Sequence, residues 1–99
     1  MIVVVFRSRL RPGVEQEVER VGARMYELAT RMPGFVSYRD YQAADGEAVT
    51  VVEFESTETL KAWREHPEHK AAQAAGRERF FESYRIQVCR VERDYAFPD

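Results

Sequence analysis

An α+β domain with elements in the order strand, helix, strand, strand, helix, strand is predicted by three observations in the 99-residue chain. Several runs rich in β-branched and aromatic residues are bounded by turn signals, one long stretch repeats apolar residues at three- and four-residue spacing, and an alanine-rich stretch precedes the last run. A chain of this length has room for one domain, residues 1–99, and for a single core without metals or disulfides.

Ile2 to Leu10 opens with β-branched residues and stops at Pro12-Gly13, which reads as a strand closed by a turn. From Val14 the period changes. Val14, Val18, Val21, Met25, Leu28 and Met32 form one apolar stripe, with Glu15, Glu19, Arg20, Arg24, Glu27 and Arg31 on the other side, so the segment is an amphipathic helix ended by Pro33-Gly34. Phe35 to Gln42 and Ala48 to Glu55, joined through Ala43 to Gly46, form a hairpin. Ser56 or Thr57 caps a second helix that carries Leu60 and Trp63 inward. Pro67 breaks that helix, Lys70 to Arg79 resumes it, and Ser83 to Tyr95 is the last strand.

This order is that of a ferredoxin-like βαββαβ domain, an antiparallel sheet with two helices on one face and the first and third strands in its middle. Ile2 to Phe6 and Val49 to Phe54 carry apolar residues on both parities, as central strands do; the other two runs carry more charge, as edges do. Helices on one face leave Val3, Val5, Val49 and Val51, or their opposite-parity neighbours, uncovered in a monomer. A homodimer joined through its sheets is the expected cover.

Composition narrows the partners. The net charge is −2, and the basic residues, all arginine except Lys61 and Lys70, alternate with acids as in Gly76-Arg77-Glu78-Arg79. Neither nucleic acid nor an anionic membrane is expected as a partner. Cys89 is the single cysteine, which excludes an intrachain disulfide and a multi-cysteine metal site and fits a reducing compartment. The apolar start, Met1 to Phe6, is too short for a membrane span or signal peptide, so the expected location is the cytoplasm.

The segment from Ala62 to His69, AWREHPEH, holds the only tryptophan and both histidines. Histidine titrates nearest neutrality and tryptophan offers a broad ring face, so this stretch combines a proton carrier with a wall for a flat ligand. Read plainly, Trp63 is a core residue, His66 a helix end and His69 a solvated side chain. His66 and His69 do not form an expected metal site, because Pro67 disrupts the helical geometry that would aim both at one ion.

Pro33-Gly34-Phe35, Glu53-Phe54-Glu55-Ser56, Leu60-Lys61-Ala62-Trp63, His66-Pro67-Glu68-His69 and the closing Tyr95-Ala96-Phe97 stand in an order that resembles the antibiotic biosynthesis monooxygenase-like domains, a family of dimeric α+β barrels. The resemblance implies a monooxygenase acting on a small aromatic phenol, quinol or anthrone with O2 and no cofactor. Where the cofactor-free oxygenases of the family place an asparagine four residues before the tryptophan and a tyrosine six after it, this chain has Thr59 and His69. The catalytic set implied is therefore His69 as base, Trp63 as the orienting wall and Thr59 as a hydrogen-bond donor. Phe6, Phe54, Gln73, Phe80, Phe81 and Tyr84 are the expected substrate lining. The haem-degrading branch instead places asparagine and an iron-ligating histidine where Phe6 and Gln73 stand here, which disfavours haem. A non-catalytic, dimeric small-molecule-binding module is the alternative from a different class.

Overall fold

The computed structural model describes residues 1–98. Strand β1 (Ile2–Leu10) lies between β3 (Ala48–Phe54) and β4 (Phe81–Arg90), with β2 (Phe35–Gln42) outside β3. All three pairings are antiparallel and the order is β2-β3-β1-β4, the ferredoxin-like arrangement that the strand parities predict. The edges are the two more polar strands.

Helix α1 (Glu15–Ala29) begins after Gly13, whose φ of 86° favours glycine, and has Glu15 and Glu17 in its first turn, where carboxylates complement the helix dipole. It is one turn shorter than the apolar stripe, because the backbone tightens from Thr30 to Met32 before Pro33. Gly34 follows at φ 76°, and a Cβ there would stand 2.5 Å from the Thr59 methyl, so the hairpin can enter beside the second helix only with glycine at this position.

Helix α2 (Thr57–Arg64) starts in a reciprocal cap. Ser56 Oγ accepts from the Thr59 amide at 3.1 Å, and Thr59 Oγ1 accepts from the Ser56 amide at 3.1 Å. Helix α3 (Pro67–Ala75) then begins at Pro67 itself, three residues before the expected resumption. The reason is local: proline suits the first helical position, and His66 Nδ1 accepts from the Glu68 amide at 3.1 Å, making His66 the N-cap. A π-turn, Gly76–Phe80, leads from α3 into β4. Arg11 clasps this turn, its side chain donating to the carbonyls of Phe81 at 3.1 Å and Glu78 at 3.0 Å.

The last strand departs from its expected bounds, opening two residues early and stopping five early. Its only partner is β1, and Ile2 opposite Arg90 is the final pair, so beyond Val91, whose amide reaches the Met1 carbonyl at 3.1 Å, no strand remains to continue the ladder. Tyr95 and Phe97 are left 82% and 97% exposed.

The core lies between sheet and helices and consists of Ile2, Val52 and Phe54 from the sheet with Met25, Ala29, Leu60 and Trp63 from the helices. Burial of each large side chain contributes roughly 1.5–3 kcal/mol. Val3, Val5, Val49 and Val51 fall on the opposite, helix-free face and are half-buried, flanked there by the Arg7–Glu47 ion pair and the Ser37–Glu53 hydrogen bond. The most exposed large apolar residues of the sheet are instead Tyr41 on β2 and Ile86 and Val88 on β4. No helix among the described residues is long and apolar enough to cross a membrane.

Candidate functional site

A cavity of about 820 Å³ opens between the sheet and the helices. Its floor comes from alternate residues of the strands, among them Val4, Phe6 and Ser8 of β1 and Ile86 and Val88 of β4; its roof comes from Val18, Gly22 and Met25 of α1 and from Trp63, His69 and Gln73. The volume lies near the top of the range of roughly 300–1,000 Å³ that serves small-molecule sites.

Trp63 and His69 meet here because α2 ends after Trp63 and α3 turns back at Pro67. The imidazole of His69 stacks on the indole, with ring centroids 4.1 Å apart and planes 15° from parallel. Its Nδ1 lies 3.1 Å from the Trp63 carbonyl oxygen. A carbonyl only accepts, so Nδ1 carries the proton and the lone pair of the neutral ring sits on Nε2. Burial pushes the His69 pKa below the ordinary histidine value; the bond to the Trp63 carbonyl opposes this, and electrostatic repulsion from neighbouring His66 and Arg64 adds to it. His69 is thereby kept as a neutral base at pH 7. Trp63 is only 3% exposed and has His69 on one face, so what it offers a ligand is the remainder of its ring.

The aromatic residues divide. Phe6, Phe80 and Phe81 line the cavity together with Gln73, which stands one helical turn beyond His69. Phe6 and Phe81 meet edge to face at 5.3 Å, and Phe81 can lie there because residue 76 is glycine: a Cβ would come within 2.5 Å of the Phe81 ring. Tyr84 touches Phe6 and Phe81 but lines a separate hollow of about 310 Å³ with Arg7, Glu47 and Arg85. Phe54 is fully buried, packed edge-on against Phe35, and does not reach the cavity. Thr59 does not reach it either, because its hydroxyl is turned back to Ser56 in the cap, donating to the Ser56 carbonyl at 3.0 Å. Phe54 is thus a core residue, and Thr59 acts on Trp63 only by starting the helix that carries it.

Polar residues of the cavity lining escape the sequence reading. Ser8, Tyr38, Asp40 and Thr50 line the sheet side of the cavity, and Thr50 Oγ1 donates to Asp40 Oδ1 at 2.6 Å. Strand parity is the signal that would have found them: Tyr38 pairs with core Val52 and Asp40 with Thr50, so both face the helices. Burial, reinforced by the Asp40 charge, pushes the Tyr38 pKa up to about 12 and keeps its hydroxyl protonated. Among the described residues no three histidine, cysteine or carboxylate side chains converge as a metal site would require.

Comparison with known proteins agrees with this architecture. The solved structure of Rv0793 from Mycobacterium tuberculosis superposes with a TM-score of 0.85 at 22% identity, covering 96% of this chain and 98% of that one. SnoaB, a cofactor-independent oxygenase from Streptomyces nogalater solved as a point mutant, superposes at 0.81 with 19% identity over 99% of this chain and 97% of its own. At such identities the likeness is one of fold. YqjZ, an uncharacterised protein of Bacillus subtilis, is 38% identical over 76 residues, which are 77% of this chain and 67% of YqjZ. The family profile described as antibiotic biosynthesis monooxygenase matches residues 1–75, and the chain belongs to that family.

Proposed function

We propose that this protein is a cofactor-independent monooxygenase that oxidises a small aromatic phenol, quinol or anthrone with O2. The observation that carries the reading is an open cavity bordered by Trp63 and by a histidine whose free Nε2 is a neutral base. The oxygenase description of SnoaB, which shares the fold, supports the reaction class.

In this reading Nε2 of His69 takes the phenolic proton, and the anion passes one electron to O2. The phenoxyl radical and superoxide then combine at a ring carbon, forming a C–O bond. The O–O bond breaks as that carbon gives up its hydrogen as a proton; one oxygen atom stays as a quinone carbonyl and the other leaves as water, taking a proton from His69. O2 is the only oxidant. Phe6, Phe80 and Phe81 keep bulk water from the phenoxyl–superoxide pair, and Trp63 orients the ring. Gln73 is an amide hydrogen-bonding group on the same wall. Haem fits these residues poorly: Gln73 is a weak iron ligand, and His69 lies flat on the indole face that a porphyrin would need.

A second copy of the chain belongs to this reading. Ile86 and Val88 are 47% and 55% exposed yet border the cavity, so its wall along β4 is open and a homodimer would close it.

Oxygen uptake with a panel of quinols, naphthols and anthrones tests the proposal. Turnover by the wild type that falls at least a hundredfold in His69→Ala is the expected result, on the order of what one general base contributes. Equal rates for the two proteins would leave a binding module, and a sharp Soret shift on haemin titration, lost in His69→Ala, would make it a haem protein.

A further inference from the structure

Besides His69, the cavity lining carries Tyr38 and Asp40, which take no part in the chemistry above. We propose that Tyr38 and Asp40 form a second subsite that binds a hydroxyl at the far end of a two- or three-ring aromatic whose near end meets His69. The inference rests on the cavity being the substrate site.

Placement comes first. β2 and β4 are opposite edges of the sheet; α1 packs across β2, with the Tyr26 ring edge-on to Tyr38 at 5.4 Å, whereas α3 runs through the π-turn into β4. Tyr38 and Asp40 therefore lie toward one side of the cavity and His69 toward the other, with Val4 and Phe6 of the central strand between them. A volume of about 820 Å³ leaves room beyond a single ring.

Valence comes second. Thr50 occupies Oδ1 of Asp40, which leaves Oδ2 as a free acceptor, and among the described residues no cation pairs with this carboxylate. The Tyr38 hydroxyl has no protein partner among the described residues, and burial keeps it protonated, hence a donor. One free donor and one free acceptor two residues apart on the same strand face match a hydroxyl, which gives its proton to Asp40 and accepts from Tyr38. A carbonyl would meet the carboxylate unfavourably, and an ammonium would leave the Tyr38 proton without an acceptor.

The test is an anaerobic titration followed by the fluorescence of Trp63, the only tryptophan and a wall of the cavity. The probes are 2-naphthol and 2,6-dihydroxynaphthalene, which differ only in a hydroxyl at the far end. The wild type is expected to bind the diol about tenfold more tightly. Tyr38→Phe and Asp40→Asn should each reduce that preference to about threefold or less without changing the affinity for 2-naphthol. Circular dichroism confirms that both variants fold. Equal affinities in the wild type, equal loss of both ligands in a folded variant, or no quenching by either probe would overturn the subsite. His69-dependent oxygen uptake without a preference for the diol would sink the subsite and leave the oxygenase reading standing; the preference without uptake would do the reverse.

Discussion

The two ends of the helix-covered sheet face are built differently. At one end Ile2 and Phe54 pack with Ala29 away from the cavity; at the other Phe6, Ser8, Thr50 and Ile86 face Val18 and Gly22 across an opening of about 820 Å³, with Val52, Met25, Leu60 and Trp63 along its edge. A dry void of that size would cost on the order of 20 kcal/mol at about 24 cal/mol per Å³, more than the roughly 5–15 kcal/mol that holds a whole domain together. The hollow end is therefore made to hold solvent or a ligand, and the packed end must supply the stability. Trp63 and His69 stand on the border between the two.

Breaking the packed end should have the largest effect. Phe54→Ala is expected to lose about 3–5 kcal/mol in urea unfolding, as fully buried phenylalanines do, whereas Phe6→Ala, at a half-buried position beside the hollow, should lose less than half as much. Equal losses would mean that the hollow end carries as much packing as the core. His69→Ala comes next: activity falls about 10²–10⁴-fold while the melting temperature changes little, since the ring is only half-buried.

Gly22→Leu separates the two ends most directly. A Cβ at Gly22 meets nothing within 4 Å, its φ is ordinary and the residue lines the cavity, so a larger side chain here extends from open space at the cavity wall. Replacing a helical glycine should stabilise the fold by roughly 0.5–1 kcal/mol while ligand binding and turnover fall. A stabilised variant with full activity would show that the cavity is not the site.

The pH dependence of His69 has a definite sign. Its folded pKa is depressed, so the native state prefers the neutral ring: the contribution to stability is fully present above the ordinary histidine pKa and is lost as pH falls through the folded value. The acid limb of the activity profile should likewise lie below the ordinary histidine pKa, and NMR titration of the two imidazoles in wild type and His69→Ala would assign it. A limb above that value would exclude His69 as the base. The smallest effect belongs to Arg24→Ala, which removes the exposed bridge from α1 to Glu68 of α3; its melting temperature should shift less than that of Phe54→Ala, and less again at high salt.

The element order, the central strands, the cap at Ser56 and the prominence of Trp63 and His69 were legible because each rests on local patterns: parity, helical spacing, a capping serine, a proline after a histidine. The end of β4 was not legible, since Val91 to Tyr95 stops pairing only because β1 runs out at Ile2. Thr59 illustrates the same limit within the site. Its spacing from Trp63 matches a family position, but the hydroxyl is held by its own cap.

By itself, then, the sequence determined that this chain makes a ferredoxin-like sheet with helices on one face and brings a tryptophan and a histidine close together. Only the tertiary structure decided that Phe54 is sealed in the core while Phe6 borders a cavity that Tyr38, Asp40 and His69 also line. The physical reason is that strand and helix periods act over a few residues. Whether two facing elements fill the space between them depends on side chains far apart in sequence, here the small Gly22 above the sheet floor.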